Sequence, residues 1–147
     1  MRVRFPAGFP PPAGHGDEGE IRGFRYAVTT YESYSELFGL VAASAGQFST
    51  SAEKLPRAEL LDGIEQTLLI GFGGQVVRAE RGEADGLHRL DLVLRAELGE
   101  GDVEIRVVAL LAGTYLAQAM LISPNEGGVD DELAEAFFAS LELKINE

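Results

Sequence analysis

The chain has 147 residues and no cysteine, and its 24 acidic against 12 basic residues give a net charge of −12. This length suits one domain with its own core, and the lack of cysteine excludes disulfides, zinc–thiolate sites and a cysteine nucleophile. Because an acidic surface repels phosphate backbones and no apolar run approaches the roughly 20 residues that span a bilayer, we expect neither nucleic-acid binding nor membrane insertion.

The N-terminal third predicts two strands, a loop and a short helix. Residues 2–6 alternate polar and apolar side chains and predict a first strand, whereas the prolines, glycines and acids of residues 7–20 predict a mobile loop. Residues 21–31 alternate again and predict a second strand. In residues 33–46 apolar side chains recur at helical spacing behind a serine, which predicts a short helix.

The rest of the chain predicts a helix, four strands and a final helix. Residues 53–70 place leucine and isoleucine on one helical face, and the glycines within 71–74 are typical of a helix end. Four strands separated by glycine-containing turns form an antiparallel meander; they are residues 75–81, 87–98, 103–111 and 115–122. Residues 129–141 predict the last helix, with Asp130 as its N-cap.

The last two strands of the meander are apolar on both sides, which indicates a sheet covered on both faces. The sequence therefore predicts the α+β class: a single domain over residues 1–147, in which helices sandwich an antiparallel sheet of about six strands. For the hairpin within residues 87–111, a continuous apolar face predicts that Leu98 pairs with Val103 and Ala96 with Ile105.

Several segments, in this order, resemble the PsbP/DcrB-like superfamily. They are a first strand ending in FP, then YAVTTY, LLDGIEQTLL, GFGGQVV, LAGTYLAQAMLIS and DDELAEAFFASLEL, and they extend over most of residues 2–143. The resemblance implies an αβα sandwich that serves as a binding module rather than an enzyme. Members include extrinsic photosystem subunits, a Ran-binding protein, bacterial lipoproteins and the Eag chaperones of type VI secretion effectors.

Three sequence features resemble catalytic or ligand-binding motifs, and a purely structural explanation is favoured for each. The GFGG segment beginning at Gly71 follows a helix and opens a strand, the reverse of a dinucleotide-binding loop. Ser44 lies in a small-residue run that faintly resembles a nucleophile elbow, but the chain is short for the fold that carries one, so a linker residue is favoured. His15 and His88 have no second ligand at metal spacing. We therefore predict no catalytic residue, no metal and no cofactor.

These observations favour a non-enzymatic protein-binding or adaptor module whose partner is an unidentified protein, with a homodimer as a further option. Two alternatives stay open: a chaperone-like protein that shields a secreted client, as Eag chaperones do, and a small hydrolase or ligand-binding enzyme. The absence of a signal-like apolar stretch at the N-terminus predicts a cytoplasmic location, or an extracytoplasmic one if a leader has been removed.

Four aromatic residues within residues 31–48 are the predicted partner-binding residues, because tyrosine and phenylalanine are enriched in interface cores. They are Tyr31, Tyr34, Phe38 and Phe48. The alternative is that these side chains plug one end of the sandwich within the monomer.

Overall fold

The computed structural model describes residues 1–6, 9–35, 39–98, 101–124 and 131–143. The structure is mostly sheet, with 59% strand and 23% helix. The seven strands are β1 (Ala13–Ile21), β2 (Phe24–Ser35), β3 (Gly39–Phe48), β4 (Gln75–Ala84), β5 (Leu87–Leu98), β6 (Gly101–Ala112) and β7 (Tyr115–Pro124). They form one antiparallel sheet in the order β1-β2-β3-β7-β6-β5-β4.

Two α-helices occur in the described residues: α1 (Arg57–Phe72), which follows a short 3-10 helix at Thr50–Lys54, and α2 (Asp131–Ala139). The predicted α+β architecture, with about six strands sandwiched between helices, is therefore wrong. One seven-stranded sheet makes up most of the described structure, and the two helices cover only part of it. Much of the chain that was predicted as loop and helix is strand instead.

The predicted mobile loop at residues 7–20 is replaced from Ala13 onward by β1. This strand lies at the edge of the sheet, and only its last residue, Ile21, is buried. Because β1 has no buried face, its sequence lacks the alternation of apolar and polar residues that predicts a strand. Its glycines and acidic residues predicted a loop instead. The predicted first strand at residues 2–6 is also wrong, since these residues contribute only a bridge between Arg2 and Glu142.

The predicted helix at residues 33–46 is wrong, because the end of β2 and most of β3 occupy this stretch. Strand β3 pairs with β2 on one side and with β7 on the other. Its small side chains let neighbouring strands approach closely, as at Gly46 against the β2 backbone, and Ala43 is 1% exposed. Pairing on both edges outweighs the apolar spacing that favoured a helix.

The predictions for the second half of the chain are confirmed for α1, for β4 to β7 and, over Asp131–Ala139, for α2, whereas the predicted N-cap Asp130 lies outside the described residues. Gly73 ends α1 with a φ of 65°, the left-handed conformation that suits glycine. The hairpin register differs from the predicted one: Leu98 pairs with Gly101, and Ala96 pairs with Val103. A shift of two residues keeps every side chain on its predicted face, because side chains alternate with a period of two.

Each face of the sheet packs against one helix. On the α1 face, helix residues such as Leu60 and Ile64 join the alternate residues of the central strands, Leu92 and Val107 among them. On the opposite α2 face, Phe137 and the N-terminal segment cover the intervening residues of the same strands. We use "α1 face" and "α2 face" for these two sides below.

The sheet curves around α1. Gly63 of the helix lies so close to Ile21, at the end of edge strand β1, that a Cβ atom would overlap the Ile21 side chain. Arg81 of the other edge strand, β4, forms a 2.7 Å ion pair with Asp62 of the same helix. Six interstrand spacings of about 4.8 Å would place the edges of a flat sheet far beyond the reach of one helix. The α1 face is therefore concave.

Candidate functional site

A cavity of about 290 Å³ lies on the concave α1 face, beside the last turn of α1. Four neighbouring strands each contribute one polar side chain, because His15 pairs with Thr30, Thr30 with Ser44 and Ser44 with Gln118. Directly opposite residues in antiparallel strands point to the same face. The register therefore produces a polar row across β1, β2, β3 and β7, which we call the polar row.

Side chains of the polar row have polar partners both outside the row and within it. His15 Nε2 lies 3.0 Å from Asp17 Oδ2, and the side chains of this pair are 46% and 49% exposed. Thr30 Oγ1 lies 2.8 Å from Ser44 Oγ in a partly buried hydrogen bond. The rest of the cavity wall is mainly apolar, apart from Glu32; it comprises Leu40, Ala42, Phe72, Met120 and Ile122. The cavity thus has a polar half and an apolar half.

The cavity contains the residue types of a serine-hydrolase triad, but their geometry differs from one. Thr30 stands between Ser44 and His15 in the polar row, which separates their backbones by two strand spacings, about 10 Å. A triad needs the serine within hydrogen-bond reach of the histidine. Ser44 lies in β3 rather than in the predicted linker, and its hydroxyl is shared with Thr30. This arrangement favours binding over nucleophilic catalysis.

The other predicted site residues do not form one patch. Tyr31 and Tyr34 are 44% and 62% exposed, but they lie three residues apart on β2 and therefore on opposite faces. Phe48 is 2% exposed and packs against the Tyr26 ring at a centroid distance of 5.6 Å. Phe38 lies outside the described residues. Of the three predicted residues that the structure describes, the two tyrosines are exposed to a partner, one on each side of the sheet.

A larger depression of about 1180 Å³ surrounds the opposite end of the first strands. Its lining includes Tyr26 and Phe48 from the α1 face together with Arg25 and Gln47 from the α2 face. Because side chains of both faces contribute, this depression passes around the end of the sheet rather than into its interior. The smaller cavity is the better-defined site.

Strand β4 forms a second candidate site at the free edge of the sheet. Among the described residues it pairs with β5 alone, and all ten of its own residues are exposed. Val76 and Val77 are 44% and 57% exposed, and Ile70, shortly before them in the chain, is 82% exposed. The register shifts at Val77, which marks a bulge. Sequence reasoning identified this strand but not that it would be an edge, which depends on the order of strands in the sheet.

Comparison with protein-family models, curated proteins and solved structures finds no match. Within the described residues, no helix is long and apolar enough to cross a membrane. The same part of the chain contains no cluster of three or more histidine or acidic side chains suited to holding a metal ion.

Proposed function

We propose that this protein is a non-enzymatic protein-binding module that adds an extended segment of its partner to β4 as a further strand. The observation that carries the proposal is the free β4 edge, a strand of ten exposed residues with one pairing side unused. An edge strand presents unpaired backbone N–H and C=O groups, which are a template for another chain.

Strand β4 is better suited to this role than the other edge. Strand β1 exposes mainly glycine and acidic side chains, whereas β4 exposes two adjacent valines before its charged residues. Backbone pairing supplies affinity in strand addition, and side chains at alternate positions supply specificity. Val76 and Val77 would contact apolar partner residues, and the charged side chains that follow them, Arg78, Glu80, Arg81 and Glu83, would contact partner residues of opposite charge.

The charge of the protein favours a basic partner segment. A net charge of −12 attracts cationic chains over a distance and accelerates their encounter with the surface. The sequence resemblance to PsbP/DcrB-like proteins supports a binding role, and membership of that superfamily stays a prediction. The chaperone-like alternative is a special case of this proposal, in which the added segment belongs to a secreted client.

The test is selection of random 12-residue peptides displayed on phage against the protein, with binding constants then measured by fluorescence polarisation. Val77→Lys places a charge on the exposed β4 edge, a device by which natural edges resist pairing. Ile70→Lys makes the same kind of change at the more exposed apolar residue of α1. We expect Val77→Lys to weaken binding about tenfold or more, and Ile70→Lys to change it less than about twofold.

The selected peptides should combine apolar residues with lysine or arginine. Equal binding to wild type and Val77→Lys would contradict the assignment to β4. A double Tyr31→Ser, Tyr34→Ser variant that loses binding would move the interface to β2, where the sequence first placed it. Light scattering that finds a dimer dissolved by Val77→Lys would identify a second copy of the chain as the occupant, and would refute the proposed partner segment.

A further inference from the structure

The concave-face cavity is large enough for a small organic molecule. Its volume of about 290 Å³ is roughly ten times the space that a water molecule takes in the liquid. Ligand sites are typically apolar with a few convergent polar groups. The apolar half formed by Phe72, Met120 and Ile122, beside the polar row, has this character.

The charged side chains around the cavity determine whether it favours a cationic or an anionic ligand. Two carboxylates, Asp17 and Glu32, line it together with the imidazole of His15, and no lysine or arginine is among the described residues of its lining. Even a protonated His15 would leave this set negative. An anionic ligand would therefore be repelled, and a cation would be attracted.

The position of α1 adds to the same preference. Phe72 is the last residue of α1, so the C-terminal end of the helix borders the cavity. The carbonyl groups there carry a partial negative charge, and a basic side chain in the last turn would normally offset it. The last turn of α1 has no basic residue. The Phe72 ring itself offers a further surface for a cation.

From these features we propose that the cavity binds a small primary amine in its ammonium form, carried on an apolar body. The ammonium group donates hydrogen bonds toward Asp17, Glu32 and the hydroxyls of the polar row. The apolar body lies against Phe72 and Met120. This site is separate from the β4 edge, and the inference does not depend on the proposed partner binding.

Three probes of matched size test the inference: phenethylammonium, phenylacetate and 2-phenylethanol, which are cationic, anionic and neutral. Binding is followed by NMR of the methionine methyl groups, of which the chain has two. Met120 lines the cavity, and Met1 does not. We expect phenethylammonium to shift the Met120 methyl signal at millimolar concentration while Met1 stays unchanged, and to bind at least about tenfold more tightly than phenylacetate.

Adjacent acidic residues on β1 provide a matched pair of variants. Asp17 points to the concave face, whereas Glu18, the next residue, points to the opposite face and does not line the cavity. Asp17→Asn should weaken phenethylammonium binding about fivefold or more, and Glu18→Gln should change it less than about twofold. Both variants remove one negative charge from an exposed position of the same strand.

Equal affinity for the three probes would contradict the proposed ammonium recognition, since only apolar contact would then be at work. An equal loss in Asp17→Asn and Glu18→Gln would also overturn it, because the amine would then respond to overall charge. Failure of phenethylammonium to shift the Met120 signal at about 10 mM would do the same.

Discussion

Gly63 is the residue at which α1 meets the turn between β1 and β2. It is buried, and a Cβ atom there would overlap the side chain of Ile21 and approach Arg22 Cγ to 3.0 Å. Glycine inside a helix costs about 1 kcal/mol relative to alanine. The close packing that glycine permits explains why it occurs in the middle of α1.

This reasoning predicts opposite effects for two glycines of one helix. Gly71→Ala should stabilise the protein by up to about 1 kcal/mol, because its Cβ would enter open space. Gly63→Ala should instead lower the free energy of unfolding by about 1–3 kcal/mol relative to Gly71→Ala, through overpacking against Ile21. Urea unfolding of the two variants gives the comparison, and equal stabilities would show that Gly63 has no packing role.

Phe137 occupies the corresponding central position on the α2 face. It is 1% exposed, and its ring lies 5.7 Å from that of Phe5 and 5.1 Å from that of Phe138. Phe137→Ala should destabilise the protein by about 3–5 kcal/mol, because it leaves a cavity between α2 and the sheet. Thermal unfolding measures the loss, with Ile70→Ala as an exposed control that should stay within about 0.5 kcal/mol of wild type.

The side chains of the concave-face cavity could not be grouped from the sequence. His15, Thr30, Ser44 and Gln118 come from four different strands and meet only because three registers align them. Considered one at a time, Ser44 and His15 each lacked the sequence context that indicates a catalytic residue. It contained no local pattern that would place the two beside the same cavity.

At the scale of elements, what could be predicted depended on burial. Helix α2 and the strands β5 to β7 bury many apolar side chains, so their periodicity is visible in the sequence. The turn between β4 and β5 is an Asp85–Gly86 pair with both φ angles positive, which is a strong hairpin signal. Strand β1 buries almost nothing, and the alanines and serine of β3 have little β propensity. Those two strands are stabilised by pairing with neighbouring strands, and the sequence does not reveal which strands will be neighbours.

The order of strands predicts a gradient of local stability. Strands β6 and β7 are paired on both edges and buried on both faces, whereas β1 and β4 have one free edge each. Backbone amides of β6 and β7 should therefore exchange with deuterium far more slowly than those of β1 and β4. Hydrogen-exchange mass spectrometry checks this order. Protection in β4 equal to that in β6 would show that its edge is already covered in the isolated protein.

At the scale of the whole molecule, part of the charge is neutralised locally on the α2 face. Hydrogen bonding to Asp91 raises the pKa of Arg89, and hydrogen bonding to Glu104 raises the pKa of Arg106. Both arginines thus stay cationic beside their acidic partners. The excess of negative charge must therefore be carried by other acidic residues, whereas β4 itself is balanced, because Arg78 and Arg81 accompany Glu80 and Glu83.

The central claim is that a partner adds a strand to β4, and hydrogen exchange on the complex with a selected peptide tests it most directly. About half of the β4 amides point away from β5 and should exchange rapidly in the free protein. Peptide binding should slow the exchange of these amides within Gln75–Ala84 and leave β1 unchanged. Protection that appears in β1 or around Tyr31 and Tyr34, with β4 still exchanging as in the free protein, would contradict the claim.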